Sequence, residues 1–159
     1  MGIQDLIQEV KTKESYAKLQ EEDPKLFFCA GFLIFDIEKN SKKTQLDFFL
    51  PEKKRISAFE HPFGEYKTFE DEIENVNEQK TQLGVDIEDL EKLTNKILEK
   101  NKVRIVPSKI IAILRDNRWN VTAMDKFLGI ARIKIDAETA EVISFEKGSL
   151  MDFMGIRKN

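Results

Sequence analysis

Cysteine and histidine are almost missing from this chain of 159 residues, each occurring once, as Cys29 and His61. One cysteine excludes an intramolecular disulfide and points to a reducing, cytoplasmic setting. A single histidine beside a single cysteine also excludes the usual zinc site of several nitrogen and sulfur ligands. Long apolar runs are missing too. The longest, Leu26 to Phe35, has 10 residues, against the roughly 18 or more that a membrane helix needs. Met1 to Gln20 is charged throughout and lacks the apolar core and small-residue cleavage site of a signal peptide. These absences set the expectation of a cytoplasmic protein with no membrane partner. Neither Gly-x4-Gly-Lys-Ser/Thr nor Gly-x-Gly-x-x-Gly occurs, so no phosphate cradle and no cofactor are expected.

What is present balances as a globular protein does: 41% apolar and 35% charged residues, with a net charge of -3. The length suits one compact domain or two half-size units sharing a core. Charge is unevenly placed. Glu60 to Glu78 holds seven acids and one base, Lys67, whereas Lys102 to Lys134 holds eight bases and two acids. Such stretches usually form solvated faces. The alternative is a basic patch over 102–134 that meets an anionic partner, nucleic acid being the less favoured case.

Ile3, Leu6, Ile7 and Val10 recur at helical spacing and predict a helix docked by one face, with a break near Glu14-Ser15 and a stop at Asp23-Pro24. Leu26 to Phe35 is apolar at odd and even positions and predicts a strand covered on both faces, with Gly31 marking a bulge or a close backbone approach. Asn40 to Lys43 and Pro51 to Lys54 predict turns around a strand that carries Leu46, Phe48 and Leu50; Ile56 to Phe59 returns as the next strand. Residues 70–85 are polar and acidic, the candidate linker between a first half over 1–69 and a second over 86–159.

The second half opens on Asp86 as a helix N-cap, with Ile87, Leu90, Leu93, Ile97 and Leu98 facing the core. Ile110 to Leu114 predicts a buried strand and Asp116-Asn117-Arg118 a hairpin turn. Trp119 to Met124 and Phe127 to Ile135 predict one long strand or two. Val142 to Phe145 follows, and Ser149 to Met154 is expected to add a short helix or a strand before an end that frays after Gly155.

Two hairpins echo each other: Thr44 to Glu60, and Gly129 to Glu146. Each lies downstream of a helical segment, which predicts two related units packed together. Trp119-Asn120-Val121, followed by Arg132 to Asp136 and Ala137-Glu138-Thr139-Ala140-Glu141-Val142-Ile143, resembles a PepSY-type unit, a helix followed by three antiparallel strands. The resemblance covers residues 86–147 and, through the echo, 3–60. It implies a non-catalytic module of the kind found with peptidase propeptides and cell-envelope proteins. One departure is Ala140, where the pattern prefers glycine. The fold class expected is therefore α+β: two related α-β-β-β halves with antiparallel sheets, each covered by a helix, in one compact domain.

Catalytic constellations are sparse. His61, next to Pro62, reads as a turn histidine, and Cys29 as a buried structural thiol. Asp36, Asp47 and Asp136 fall at strand ends and match no calcium loop. The most functional local group is Arg115, Arg118 and Trp119, where an aromatic flanked by guanidiniums suits an anionic or flat ligand; the competing reading puts Trp119 in the core. The expectation is a non-enzymatic binding or regulatory module that recognises a protein or peptide through a sheet face or edge, with a homodimer through the same surfaces as an option. The alternative is an apolar small-molecule carrier built on the Phe-rich strand 27–35.

Overall fold

The structure, a computed structural model, describes residues 1–149; the expectations for the segment beyond Ser149 lie outside the described residues. The amino-terminal stripe forms α1 (Ile3–Lys11), with Ile3, Leu6, Ile7 and Val10 all buried. Thr12 ends it by turning both its N–H and its hydroxyl onto the Glu9 carbonyl, and α2 (Glu14–Glu22) follows with Tyr16 and Leu19 buried. Ile87–Asp89 forms a single 3-10 turn that leads into α3 (Leu90–Lys100).

Asp86 does more than the cap the sequence predicts. Its Oδ1 accepts the Ile87 N–H at 2.7 Å and also the Ile3 N–H at 2.9 Å. One carboxylate thus serves the free N–H groups and positive ends of two helices. Gly2 permits the approach, since a Cβ there would lie 2.5 Å from Asp86 Oδ2.

The strands are β1 (Phe27–Asp36), β2 (Ser41–Leu50), β3 (Arg55–Glu60), β4 (Tyr66–Thr68), β5 (Lys109–Arg115), β6 (Arg118–Met124), β7 (Gly129–Asp136) and β8 (Val142–Ser149). They make one antiparallel sheet in the order β4-β3-β2-β1-β5-β6-β7-β8, so the fold is α+β. The expected pair of sheets is a single sheet, joined edge to edge where β1 pairs with β5 from Ala30↔Arg115 to Asp36↔Lys109. Four strands lie on each side of that pairing, where three were expected. Counted outward from that seam, β2–β3 corresponds to β6–β7, so the echo of β2–β3 in β7–β8 is one strand out of step. Alternation explains this, because any two hairpins with the same in-out pattern look alike in sequence.

Local strand limits also differ. Ser41, Lys42 and Lys43 belong to β2 and not to a turn, and Phe127 stands in the β6–β7 loop and not in a strand. The helices cover one face only. Against them pack Leu33, Leu46, Phe48, Phe59, Leu114, Trp119 and Ile135 among others. Tyr16, Phe48 and Phe59 form an aromatic cluster with ring centroids 5.4 to 6.2 Å apart, Phe48 meeting both others edge to face. Gly31 answers the close-approach expectation, for a Cβ there would meet Ile3 Cδ1 at 3.3 Å. The bulge lies beside it, between Phe28 and Ala30.

The acidic segment has no helix or strand between Phe69 and Asp86, yet it is tied down along its length. It crosses one end of the sheet as a strap, turn by turn. The Ile73 N–H donates to the Lys54 carbonyl at 2.8 Å and the Gln79 N–H to Phe28 at 2.8 Å. The buried Gln79 amide grips the Asn117 backbone and side chain, and the Gly84 and Val85 N–H groups both reach Ala137. Lys54–Glu74 and Lys80–Glu138 pair along the same path. Among the described residues no helix is long and apolar enough to cross a membrane.

Candidate functional site

Strand alternation sends every second side chain of the sheet away from the helices, and this second face is covered unevenly. The bulge puts both Cys29 and Ala30 on it. They form a small apolar cluster with Phe49, closed by Phe27, Phe32 and Ile56 from the sheet and by Ile73 and Val76 from the strap. Beyond the strap the described residues leave the face open. Cross-strand pairs Phe32↔Ile113 and Ile34↔Ile111 make an apolar stripe along the seam of the two halves, and Ile34 is 37% exposed.

Grooves flank the stripe. One, of about 340 Å³, is lined by Ile111, Ile113, Asn120, Thr122, Lys134 and Glu146 among others. The other, of about 180 Å³, runs between Phe32, Ile34, Lys43, Gln45, Glu60 and His61. The arrangement offers apolar contact at the centre and hydrogen-bonding and charged groups at the rim.

The titratable groups under the strap are buried, not poised for chemistry. Asp47 is 5% exposed, and burial pushes its carboxyl up to about 6, against one hydrogen bond from Gln45 Nε2 at 2.8 Å. Burial, with Asp47 nearby, pushes the Cys29 thiol up to about 12, so a thiolate is disfavoured there. Asp136 is the opposite case. The Thr139 and Glu138 N–H groups hold its exposed carboxylate below the usual range. Asp36 closes the β1–β2 turn by accepting the Lys39 N–H. These three aspartates lie apart, each with its own structural task. Among the described residues, His, Cys, Asp and Glu side chains do not gather in threes around a site for a metal.

The expected group of Arg115, Arg118 and Trp119 is split by the sheet. Arg115 and Arg118 face each other as a cross-strand pair at the end of the open face. Trp119 is the next residue along and points the other way. It is fully buried against the helices, and its indole N–H donates to the Val85 carbonyl at 2.8 Å. Period-2 alternation forbids neighbours in a strand from sharing a face, so Trp119 is a core residue and not a stacking platform. The bases of 102–134 are divided as well: Lys102, Arg104 and Lys126 sit at one end of the strands and Arg115 and Arg118 at the other.

The Phe-rich strand is mostly core. Phe28 and Phe35 are buried in the helix-side core, as is Phe48 of the neighbouring β2, while Phe27 and Phe32 border the open face. Sequence reasoning missed Ile111, Ile113 and Thr122 as surface candidates. Ile110 to Leu114 is apolar at consecutive positions, which read as a strand buried on both faces.

Comparison with known proteins adds little. No family model matches the chain, and no curated protein matches it. Among solved structures it is similar to a "putative lipoprotein" from Clostridium difficile 630, at 12% identity over 85% of this chain and 91% of that one, with a TM-score of 0.48.

Proposed function

We propose that the chain is a non-catalytic binding module that takes a protein or peptide against the open face of its sheet. The observation that carries this reading is the uncovered apolar stripe of Phe32, Ile34, Ile111 and Ile113 at the seam, bordered by grooves with polar and charged rims. A sheet face of this kind suits an apolar strip of partner at its centre, with polar groups setting register at the edges. Arg115 and Arg118 extend the rim at the strap end.

A peptide-display selection against the full chain tests the idea. Thr122 lies in the groove between Ile111 and Arg132 by register, so Thr122→Arg fills it without touching the helix-side core. Selected peptides are expected to carry alternating apolar residues and to lose at least about tenfold in affinity for the variant, the loss expected for a central interface position. Peptides that bind Thr122→Arg as well as the unaltered protein would place the binding surface elsewhere.

A further inference from the structure

The end of the sheet opposite the strap has a feature of a different kind. Asp125 and Gly129 close the β6–β7 loop. The Asp125 N–H donates to the Gly129 carbonyl at 3.0 Å, and Asp125 Oδ1 accepts the N–H groups of Phe127 at 2.8 Å and Gly129 at 2.7 Å. The loop so fixed holds Phe127 88% exposed and Leu128 52% exposed. Leu128 sits at φ 65, a left-handed conformation that glycine or asparagine adopts with less strain. On the adjoining segment Val106 is 81% exposed, across a groove of about 290 Å³ from Phe127.

Three large apolar side chains therefore stand in water at strand ends, where turn chemistry ordinarily places polar residues. Exposed Arg104 and Lys126 stand beside them around the same groove, with Lys126 Nζ 2.9 Å from Glu38. The acids of the strap, Glu70, Asp71, Glu72, Glu74 and Glu78, lie at the far end of the strands. The tip is thus apolar with two bases beside it, and the run of strap acids lies at the other end of the strands, near Arg115 and Arg118.

We propose that this end docks on an anionic lipid bilayer surface, with Phe127, Leu128 and Val106 entering the acyl boundary and Arg104 and Lys126 meeting the phosphates. Phe127 and Val106 are largely exposed on either side of the groove, and a deformable acyl phase takes such side chains without a matching pocket. Asp125 satisfies the loop's own N–H groups, so burying the tip strands no donor at Phe127 or Gly129. Docking by this end keeps the acids of the strap at the far end of the strands, away from a negative surface. A surface contact needs no spanning segment, and this one is separate from the open sheet face.

Vesicle co-sedimentation of the full chain tests the proposal, using phosphatidylcholine alone and phosphatidylcholine mixed with phosphatidylserine. The protein is expected to pellet with the mixed vesicles and stay in solution with the neutral ones, and added salt is expected to release it. Phe127→Asp, at a position that contributes little to the core, is expected to lower partitioning by more than about tenfold, and Arg104→Glu by roughly fivefold or more. Phe127→Trp supplies a second readout. Trp119 is buried and its emission stays constant, while the new indole is expected to shift to the blue only with the anionic vesicles. Protein that remains in solution with both vesicles overturns the proposal, as does Phe127→Asp partitioning like the unaltered chain. If Phe127→Asp instead abolishes binding of an acidic protein while no vesicle is bound, the tip is a protein interface and the bilayer reading falls.

Discussion

Replacing Asp47 by asparagine is expected to stabilise the fold at neutral pH and to change little below about pH 4. The carboxyl is buried on the open face of β2, with Ala30 and Ala58 as its cross-strand neighbours and Gln45 Nε2 as its hydrogen-bond donor. Burial raises it from an ordinary value of 3.8 to about 6. The native state therefore holds the proton more tightly than the unfolded chain does, and the stability this supplies is complete below the unfolded value and lost as pH rises through the native one. A rise of about 2 units at about 1.4 kcal/mol each makes the loss roughly 3 kcal/mol between about pH 4 and about pH 7.

Asparagine has no such titration, and its side-chain oxygen still accepts from Gln45. Urea unfolding of both proteins across that range gives the test, and the quantity to follow is the variant-minus-parent difference, since every other carboxylate cancels in it. It is expected to grow by about 2 to 3 kcal/mol from acid to neutral pH, with the denaturant slope unchanged. A difference that stays flat would show that water reaches the Asp47 carboxylate and that the strap does not seal the cluster beneath it.

Two further substitutions probe local geometry. Asp86→Ala removes the acceptor shared by the Ile3 and Ile87 N–H groups, and at about 1 kcal/mol for each lost cap it is expected to destabilise the fold by about 2 kcal/mol in chemical denaturation; a loss confined to one cap's worth would mean that only one helix relies on it. Ala140 sits at φ 68, so Ala140→Gly is expected to gain up to about 1 kcal/mol and raise Tm by a few degrees; an unchanged or lower Tm would mean the alanine is not strained in this turn.

Local signals in the sequence predicted the elements well because their causes are local. The i, i+3, i+4, i+7 stripe from Ile3 to Val10 became α1 with that face buried, and Asp86 became a cap. The Ala140 departure located a left-handed turn position that the chain fills with alanine regardless. Long-range features were not legible. Nothing in either hairpin states that β1 pairs with β5, and without that pairing neither the single sheet nor the seam stripe can be foreseen. Phe127 was hidden for another reason: an apolar residue beside an apolar strand extends the strand by pattern, and only the Asp125 hydrogen bonds to Phe127 and Gly129 cut it off into a loop. Arg115, Arg118 and Trp119 were grouped by closeness in sequence, a measure that fails inside a strand, where adjacent residues face opposite ways.

The strand that is apolar on both sides posed the sharpest question, and the structure answers it in two parts. On the helix side β1 places Phe28, Leu33 and Phe35 in the core, with Gly31 leaving room for Ile3. On the other side the bulge at Cys29 turns two consecutive small residues outward, which keeps that end thin enough for Ile73 and Val76 of the strap to lie over it. The strap is anchored at the sheet's end by Gln79 and by the turns it passes, so its reach stops near Phe32. Ile34 and its partner Ile111 lie past that limit. A chain that needed only a closed core had polar residues available for those positions, as Lys43 and Gln45 show on the same face of the neighbouring strand. Keeping isoleucine there maintains an apolar stripe that the described residues leave uncovered, which supports the proposed partner at the seam.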